Sequence, residues 1–193
     1  MKISGFGEAA TLSDTEYLKI RRNIRTPKYR ILLDLAWYTG ERWGALVQLR
    51  VSDVYHADGT PRTTITFRAA TRKKRPDGSA ETRQIPTHPN LLEALRSYTP
   101  DTDSSWLFPS RDGETSITWR NAYDILKRSV EDAGLATKGI STHSTRRSFI
   151  TNLHRKGVST PTIKKITGHK DYKSLERYID INADEVKGAI FAL

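Results

Sequence analysis

Residues 142–181, THSTRRSFITNLHRKGVSTPTIKKITGHKDYKSLERYIDI, carry the punctuation that decides the fold. The first part has helical composition and stops at Gly157, where a glycine can take the left-handed turn that ends a helix. A second helix opens with Thr160 as its cap and Pro161 at the first helical position, then stops at Gly168. A third runs through DYKSLERYIDI. Upstream, HPNLLEALRSY and ITWRNAYDILKRSVEDAG show apolar stripes at helical spacing and end near Gly or Pro, with a loop containing SSWLFPSRDGE between them. At the start, Ser13 or Asp14 caps LSDTEYLKIRRNI, Pro27 opens a helix that Gly40 closes, and ERWGALVQLRV reads as a further helix. Only TTITFRAAT and TRQIP change period: Ile65 and Phe67 alternate with polar neighbours as in a half-buried strand. Pro76-Asp77-Gly78 between them predicts a hairpin with a long basic tip. The expectation is one α+β domain, predominantly helical with a small antiparallel sheet.

At 193 residues and 36% hydrophobic composition the chain can bury a core without staples. It has no cysteine, which excludes disulfides, thiolate metal sites and cysteine nucleophiles. No apolar run approaches the roughly 20 residues of a membrane span, and MKISGFGEAATLSD lacks the apolar stretch of a signal peptide. A soluble, intracellular protein is expected. The formal charge of +10 is concentrated: residues 62–83 carry a net +5 and residues 138–178 a net +8, leaving the remainder slightly negative. Two basic segments distant in sequence can form one face for a polyanion, or a solvated surface that keeps the protein soluble.

Taken singly, the chemically capable residues have ordinary structural readings. Arg42 after a Gly-Glu corner suits a surface ion pair, His169 after Gly168 suits a helix end, and Tyr178 among Leu175, Ile179 and Ile181 suits half-buried packing. His143 and Arg146, three apart, project from one side of a helix. As a set they are more informative. Two arginines, a hairpin lysine and two histidines are what binding a phosphodiester and neutralising charge on phosphorus require, and a tyrosine supplies a nucleophile. No carboxylate cluster with metal-site spacing and no GxxxxGK[ST] loop occurs, so no metal and no cofactor are expected.

The segments TGERWGALVQLRVSDV, THSTRRSF and ITGHKDYKSLERYIDI resemble, in order and spacing, the three signature blocks of the tyrosine recombinase (phage integrase) family, over about residues 12–185. The last is the most specific, with a Gly-His pair and a tyrosine nine residues after the histidine. The resemblance implies a mostly helical catalytic domain with a small sheet. It implies a metal-independent DNA strand transferase of the kind found in mobile elements, working through a 3′-phosphotyrosyl intermediate. Arg42 and Arg146 would hold the non-bridging phosphate oxygens, and Lys73, with Lys74 as its neighbouring alternative, would protonate the leaving 5′ oxygen. His143 would assist proton transfer, His169 would donate to the phosphate and Tyr178 would attack. Arg72, Lys74, Arg75 and Arg147 would contact DNA. Double-stranded DNA is the implied partner, with a tetramer on DNA, a monomer when free, DNA-bending accessory proteins, no membrane partner, and a cytoplasmic, nucleoid-associated location.

Two departures from the family pattern bear on these expectations. The acidic residue usual three positions after the first arginine is replaced by Ala45, with Asp53 as a partial substitute. The N-terminal helical domain that grips the other side of the DNA is not expected within residues 1–193, which read as a single catalytic domain with weak, salt-sensitive DNA affinity. Alternatives are a topoisomerase of the related type IB class and a catalytically silent DNA-binding module. In the C-terminal ADEVKGAIFAL, Val186, Ile190, Phe191 and Leu193 are expected to cover the chain's own core in the free domain. The resemblance adds docking of this segment on a neighbouring subunit in the DNA-bound assembly.

Overall fold

The computed structural model describes residues 9–72, 78, 81–101, 103–169, 171–176, 178, 187–188 and 190–191. In chain order its helices and strands are α1 (Asp14–Asn23), α2 (Pro27–Thr39), α3 (Trp43–Leu46), α4 (Val51–Val54), β1 (Thr64–Phe67), β2 (Arg83–Pro86), α5 (Pro89–Arg96), α6 (Trp119–Asp132), α7 (Thr142–Arg155), α8 (Thr160–Thr167) and α9 (Tyr172–Glu176). This is the mostly helical architecture with a small antiparallel sheet that the changes of period predict. The chain divides into two compact units, residues 1–149 and 150–193, and the division falls inside α7.

In the first unit, α2 is the central element. Ile31, Leu32, Leu33, Leu35, Ala36 and Trp37 are all buried, so it is apolar around most of its circumference, as a helix surrounded by others must be. Against it lies α1, whose start is set by Ser13: the Ser13 hydroxyl accepts from the Glu16 N–H (3.2 Å) and Glu16 Oε2 accepts from the Ser13 N–H (2.9 Å). Tyr17 stacks on Trp37 with ring centroids 4.6 Å apart. Its hydroxyl donates to buried Asp34 (2.6 Å), whose two oxygens also take the Arg21 fork at 2.7 and 2.8 Å. A carboxylate buried on a central helix is tolerable because its lone pairs are filled in this way. On α6, Ala122, Leu126 and Val130 form the inward stripe at helical spacing.

The segment ERWGALVQLRV does not form one helix. It breaks into α3 and α4 because the backbone between them pairs with residues 105–107: the Leu107 N–H donates to Leu49 C=O (3.0 Å) and the Val51 N–H to Ser105 C=O (2.9 Å). Those groups are then unavailable to a continuous helical ladder. The strands β1 and β2 pair antiparallel with Ile65 opposite Ile85 and Phe67 opposite Arg83. Alternation buries Ile65, Phe67 and Ile85 on one face, and it carries Arg83 to that same face. Most of the expected hairpin tip lies outside the described residues.

The first turn of α7 is set by Ser141, whose hydroxyl accepts from the His143 N–H (3.3 Å) and whose N–H donates to Ser144 Oγ (3.0 Å). In the second unit α8 is preceded by Ser159 as its cap, one residue before the expected Thr160, and ends at Gly168. Ile163 and Leu175 are buried. Ile190 and Phe191 are 61% and 76% exposed, so these two do not cover the chain's own core as expected; Val186 and Leu193 lie outside the described residues. Among the described residues no helix is long and apolar enough to cross a membrane.

Gly40 is the junction of the first unit. At φ 58° it ends α2 in the left-handed region, and a Cβ there would overlap the Phe149 ring. Gly40→Ala is therefore expected to destabilise the protein by at least about 1–2 kcal/mol from backbone strain alone, and by more through the displaced Phe149. Chemical denaturation of the two proteins at one pH measures the difference.

Candidate active site

Directly after Gly40, the chain places Glu41 inside the protein with 1% of its side chain exposed. Its Oε1 accepts from the Arg42 N–H (2.8 Å) and lies 3.9 Å from Arg146 Nη1. Its Oε2 accepts from Arg83 Nη2 and lies 3.7 Å from Arg72 Nε. Arg146 is itself only 2% exposed, and its Nη1 donates to the Gly40 carbonyl (2.8 Å). Arg42, at the start of α3, is exposed. The indole N–H of Trp43 donates to Thr145 Oγ1 (3.1 Å) and so ties α3 to the first turns of α7. Arg42, His143 and Arg146, separated by a hundred residues of sequence, consequently share one cleft of about 420 Å³. Arg72, Ala45 and Trp119 complete much of its wall.

Among the described residues, the Glu41 carboxylate faces the guanidinium groups of Arg72, Arg83 and Arg146, with Arg42 adjacent in sequence, so positive charges outnumber it. Burial pulls the Arg83 guanidinium below its ordinary pKa, with Glu41 opposing that shift and Arg72 and Arg42 adding to it. His143 stands exposed at the cleft, yet its pKa is lowered. The crowding of protein around the ring is the larger cause, and the positive charges of Arg42 and Arg146 follow. A neutral imidazole beside two guanidinium groups can accept a proton, while the guanidinium groups hold an anion at fixed geometry.

In the second unit His169 and Tyr178 come together, their ring centroids 5.6 Å apart. Thr167 gives its own proton to the Ile163 carbonyl (2.7 Å), so its oxygen accepts from His169 Nδ1 at 2.6 Å. Tyr178 is half-buried, and its carbonyl accepts from the Thr151 hydroxyl (3.0 Å).

The remaining expected residues are placed as follows. Arg72 is largely buried in the cleft wall, its Nη1 donating to the Glu81 carbonyl (2.8 Å), and Arg147 is half-buried on α7. Lys73, Lys74 and Arg75 lie outside the described residues. Asp53 is committed elsewhere: its carboxylate accepts from the Arg50 N–H (2.8 Å) and pairs with Arg68 (3.0 Å), and it does not line the cleft. The acidic group that holds the arginines is Glu41, which sequence reasoning passed over. Its signal was a lone acid between a helix-ending glycine and an arginine. Arg83 was also missed, although strand alternation assigns it the inward face of Ile85. Among the described residues no group of three or more His, Asp or Glu side chains converges as a metal site would.

Comparison with known proteins gives a consistent set of likenesses. The model of the phage integrase family matches residues 11–185. Tyrosine recombinase XerD of Corynebacterium glutamicum is 29% identical over 168 residues, covering 86% of this chain and 53% of that protein. The chain therefore spans about half the length of this relative. Among solved structures, XerA recombinase superposes with a TM-score of 0.74 at 22% identity, over 95% of this chain and 65% of the other. XerH site-specific recombinase bound to difH substrate in a pre-cleavage complex superposes with a TM-score of 0.66 at 19% identity, over 98% and 55%. These structural likenesses concern the fold.

Two outcomes follow from the cleft's electrostatics. Glu41→Gln removes the buried carboxylate that pairs with these guanidinium groups and is expected to cost about 3–5 kcal/mol of stability, as breaking a buried pair does, read as a lowered urea midpoint. In an NMR titration His143 is expected to protonate below the usual histidine range. Arg42→Gln should raise its pKa, because one of the charges opposing protonation has gone.

Proposed function

The chain belongs to the phage integrase family, and on that premise we propose that it is the catalytic part of a site-specific DNA recombinase that cleaves and rejoins strands through Tyr178. The observation that carries this reading is the cationic cleft in which Arg42, His143 and Arg146 meet around buried Glu41. Its surplus charge and forked donors suit a phosphodiester, whose negative charge grows on the non-bridging oxygens as a nucleophile adds. The substrate is double-stranded DNA; the Tn1549 transposon integrase, of similar fold, is in complex with transposon right end DNA.

In the proposed step the Tyr178 hydroxyl oxygen bonds to phosphorus as the bond from phosphorus to the 5′ oxygen breaks. The phenolic proton passes to His143, which the cleft keeps neutral at pH 7, and Lys73 supplies a proton to the leaving 5′ oxygen. Arg42 and Arg146 hold the non-bridging oxygens, and His169, held by Thr167 through Nδ1, donates a hydrogen bond to the phosphate. The products are a 3′-phosphotyrosine ester and a 5′-hydroxyl end. A 5′-hydroxyl from another strand reverses the step, and the ester link conserves the energy this needs. Further phosphate contacts come from Arg72, Lys74, Arg75 and Arg147. Assembly as a tetramer on DNA, accessory DNA-bending proteins and association with the nucleoid belong to the same proposal.

A nicked suicide duplex tests the reaction class and the nucleophile together. Wild-type protein is expected to form an adduct that survives denaturation. Tyr178→Phe should abolish it, and Tyr172→Phe, altering an exposed neighbouring tyrosine, should leave it. An adduct that persists without Tyr178 overturns the assignment. Relaxation of supercoils without site preference would indicate a topoisomerase, and DNA binding with no adduct a silent module.

A further inference from the structure

Trp119 lines the cationic cleft but has no part in holding or cleaving a phosphate. It is the first residue of α6 and 45% exposed, an unusual position for an indole, while the inward stripe of that helix is made by Ala122, Leu126 and Val130. Of the large apolar side chains exposed among the described residues, namely Leu18, Trp119, Tyr172, Ile190 and Phe191, Trp119 alone borders this cleft. Its ring has an aromatic neighbour on its own helix. Tyr123, one turn along α6, stacks on it with centroids 5.6 Å apart and planes 25° apart, and the Arg120 guanidinium lies 5.5 Å from the Tyr123 centroid. Thr118 caps this turn by accepting from the Asn121 N–H (3.1 Å). An aromatic plane fixed in this way loses little freedom when a ligand stacks on it.

The cleft, at about 420 Å³, falls in the size range of pockets that take a whole small ligand. Guanidinium groups and an indole in one cleft match the two halves of a nucleotide, a phosphate and a flat heterocycle. Inside a duplex both faces of a base are already stacked, so the indole needs a base that can leave the helix. Strand cleavage through Tyr178 supplies one. The nucleotide on the phosphate side stays tethered to the protein, whereas the nucleotide bearing the new 5′-hydroxyl is untethered. We propose that Trp119 is a stacking platform for the base of this 5′-hydroxyl nucleotide, holding the freed strand end in the cationic cleft until it, or a strand that replaces it, is rejoined. This inference rests on the strand-cleavage reading above and adds a specificity-determining contact to it.

The test is resealing by the isolated covalent adduct, formed on a suicide duplex recovered from a random-sequence pool and supplied with short complementary strands ending in a 5′-hydroxyl. Trp119→Ala should raise the strand concentration needed for half-maximal resealing by about five- to a hundredfold, the range for losing one base stack. Trp119→Phe should restore much of the affinity, and the maximal rate should change less than the half-saturating concentration. A strand whose 5′-terminal nucleotide is abasic should weaken wild-type resealing by a similar factor and leave Trp119→Ala unaffected. Resealing by Trp119→Ala that matches wild type, or an abasic penalty equal in both proteins, overturns the inference while the adduct itself upholds strand cleavage. The abasic arm on wild-type protein decides the matter if the alanine variant fails to fold: no penalty overturns it. Failure to form any adduct dependent on Tyr178 overturns both readings.

Discussion

The Glu41 carboxylate lies among guanidinium groups supplied by residues 72, 83 and 146, with Arg42 next to it in sequence. Arginines buried this closely would repel one another and lose their hydration together, a penalty far larger than the stability of a domain of this size. One buried anion offsets part of that penalty and gives the set a common centre. It leaves the rest as uncompensated positive potential in a cleft open to solvent at Arg42 and His143. The site is thus held together and left electrostatically incomplete by the same group. In the proposed function a phosphodiester completes it.

Glu41 reaches this position through local geometry on both sides. Gly40 turns the chain in the left-handed region and, lacking a Cβ, lets Phe149 pack against it, while its carbonyl accepts from Arg146. Two residues further on, Trp43 bonds Thr145. Residues 40–43 therefore engage residues 145–149 at three successive points, and α7 is located relative to Arg42 by packing, a main-chain hydrogen bond and an indole hydrogen bond. Ala45, where the family usually has an acid, is buried in the same cleft wall. The anchoring role expected of an acid at that position belongs to Glu41 in this chain, four residues earlier.

The protonation state of the cleft follows from the same arrangement. Crowding and neighbouring arginines disfavour a charged His143, so the cleft offers a neutral imidazole beside cationic guanidinium groups. Thr167 does comparable work for His169 by holding the imidazole through its Nδ1. Neither effect requires a metal-binding cluster: both arise from side chains placed within one or two turns of a helix end.

Helices, strands and most of their ends were legible in the sequence because they depend on neighbours within a few residues. The Ser13 and Glu16 pair, Pro27, Gly40, Gly168 and the alternation of Ile65 and Phe67 act locally, and the structure places the boundaries close to where they indicate. The three short blocks name Arg42, His143, Arg146, His169 and Tyr178 as candidates, and the structure brings the first three to one cleft and the last two next to each other. What was not legible depended on partners far away in the chain. The break between α3 and α4 is imposed by backbone pairing with residues 105–107, and no local propensity signals it. Asp53 and Glu41 are both acids near basic residues in sequence, yet only tertiary structure turns one toward Arg68 and seats the other among the arginines of the cleft. Sequence by itself determined most of the secondary structure and the chemical inventory, since capping, periodicity and residue type are local properties. Tertiary structure alone decided which charges share a low-dielectric space, because that depends on long-range packing and on where each side chain loses its water.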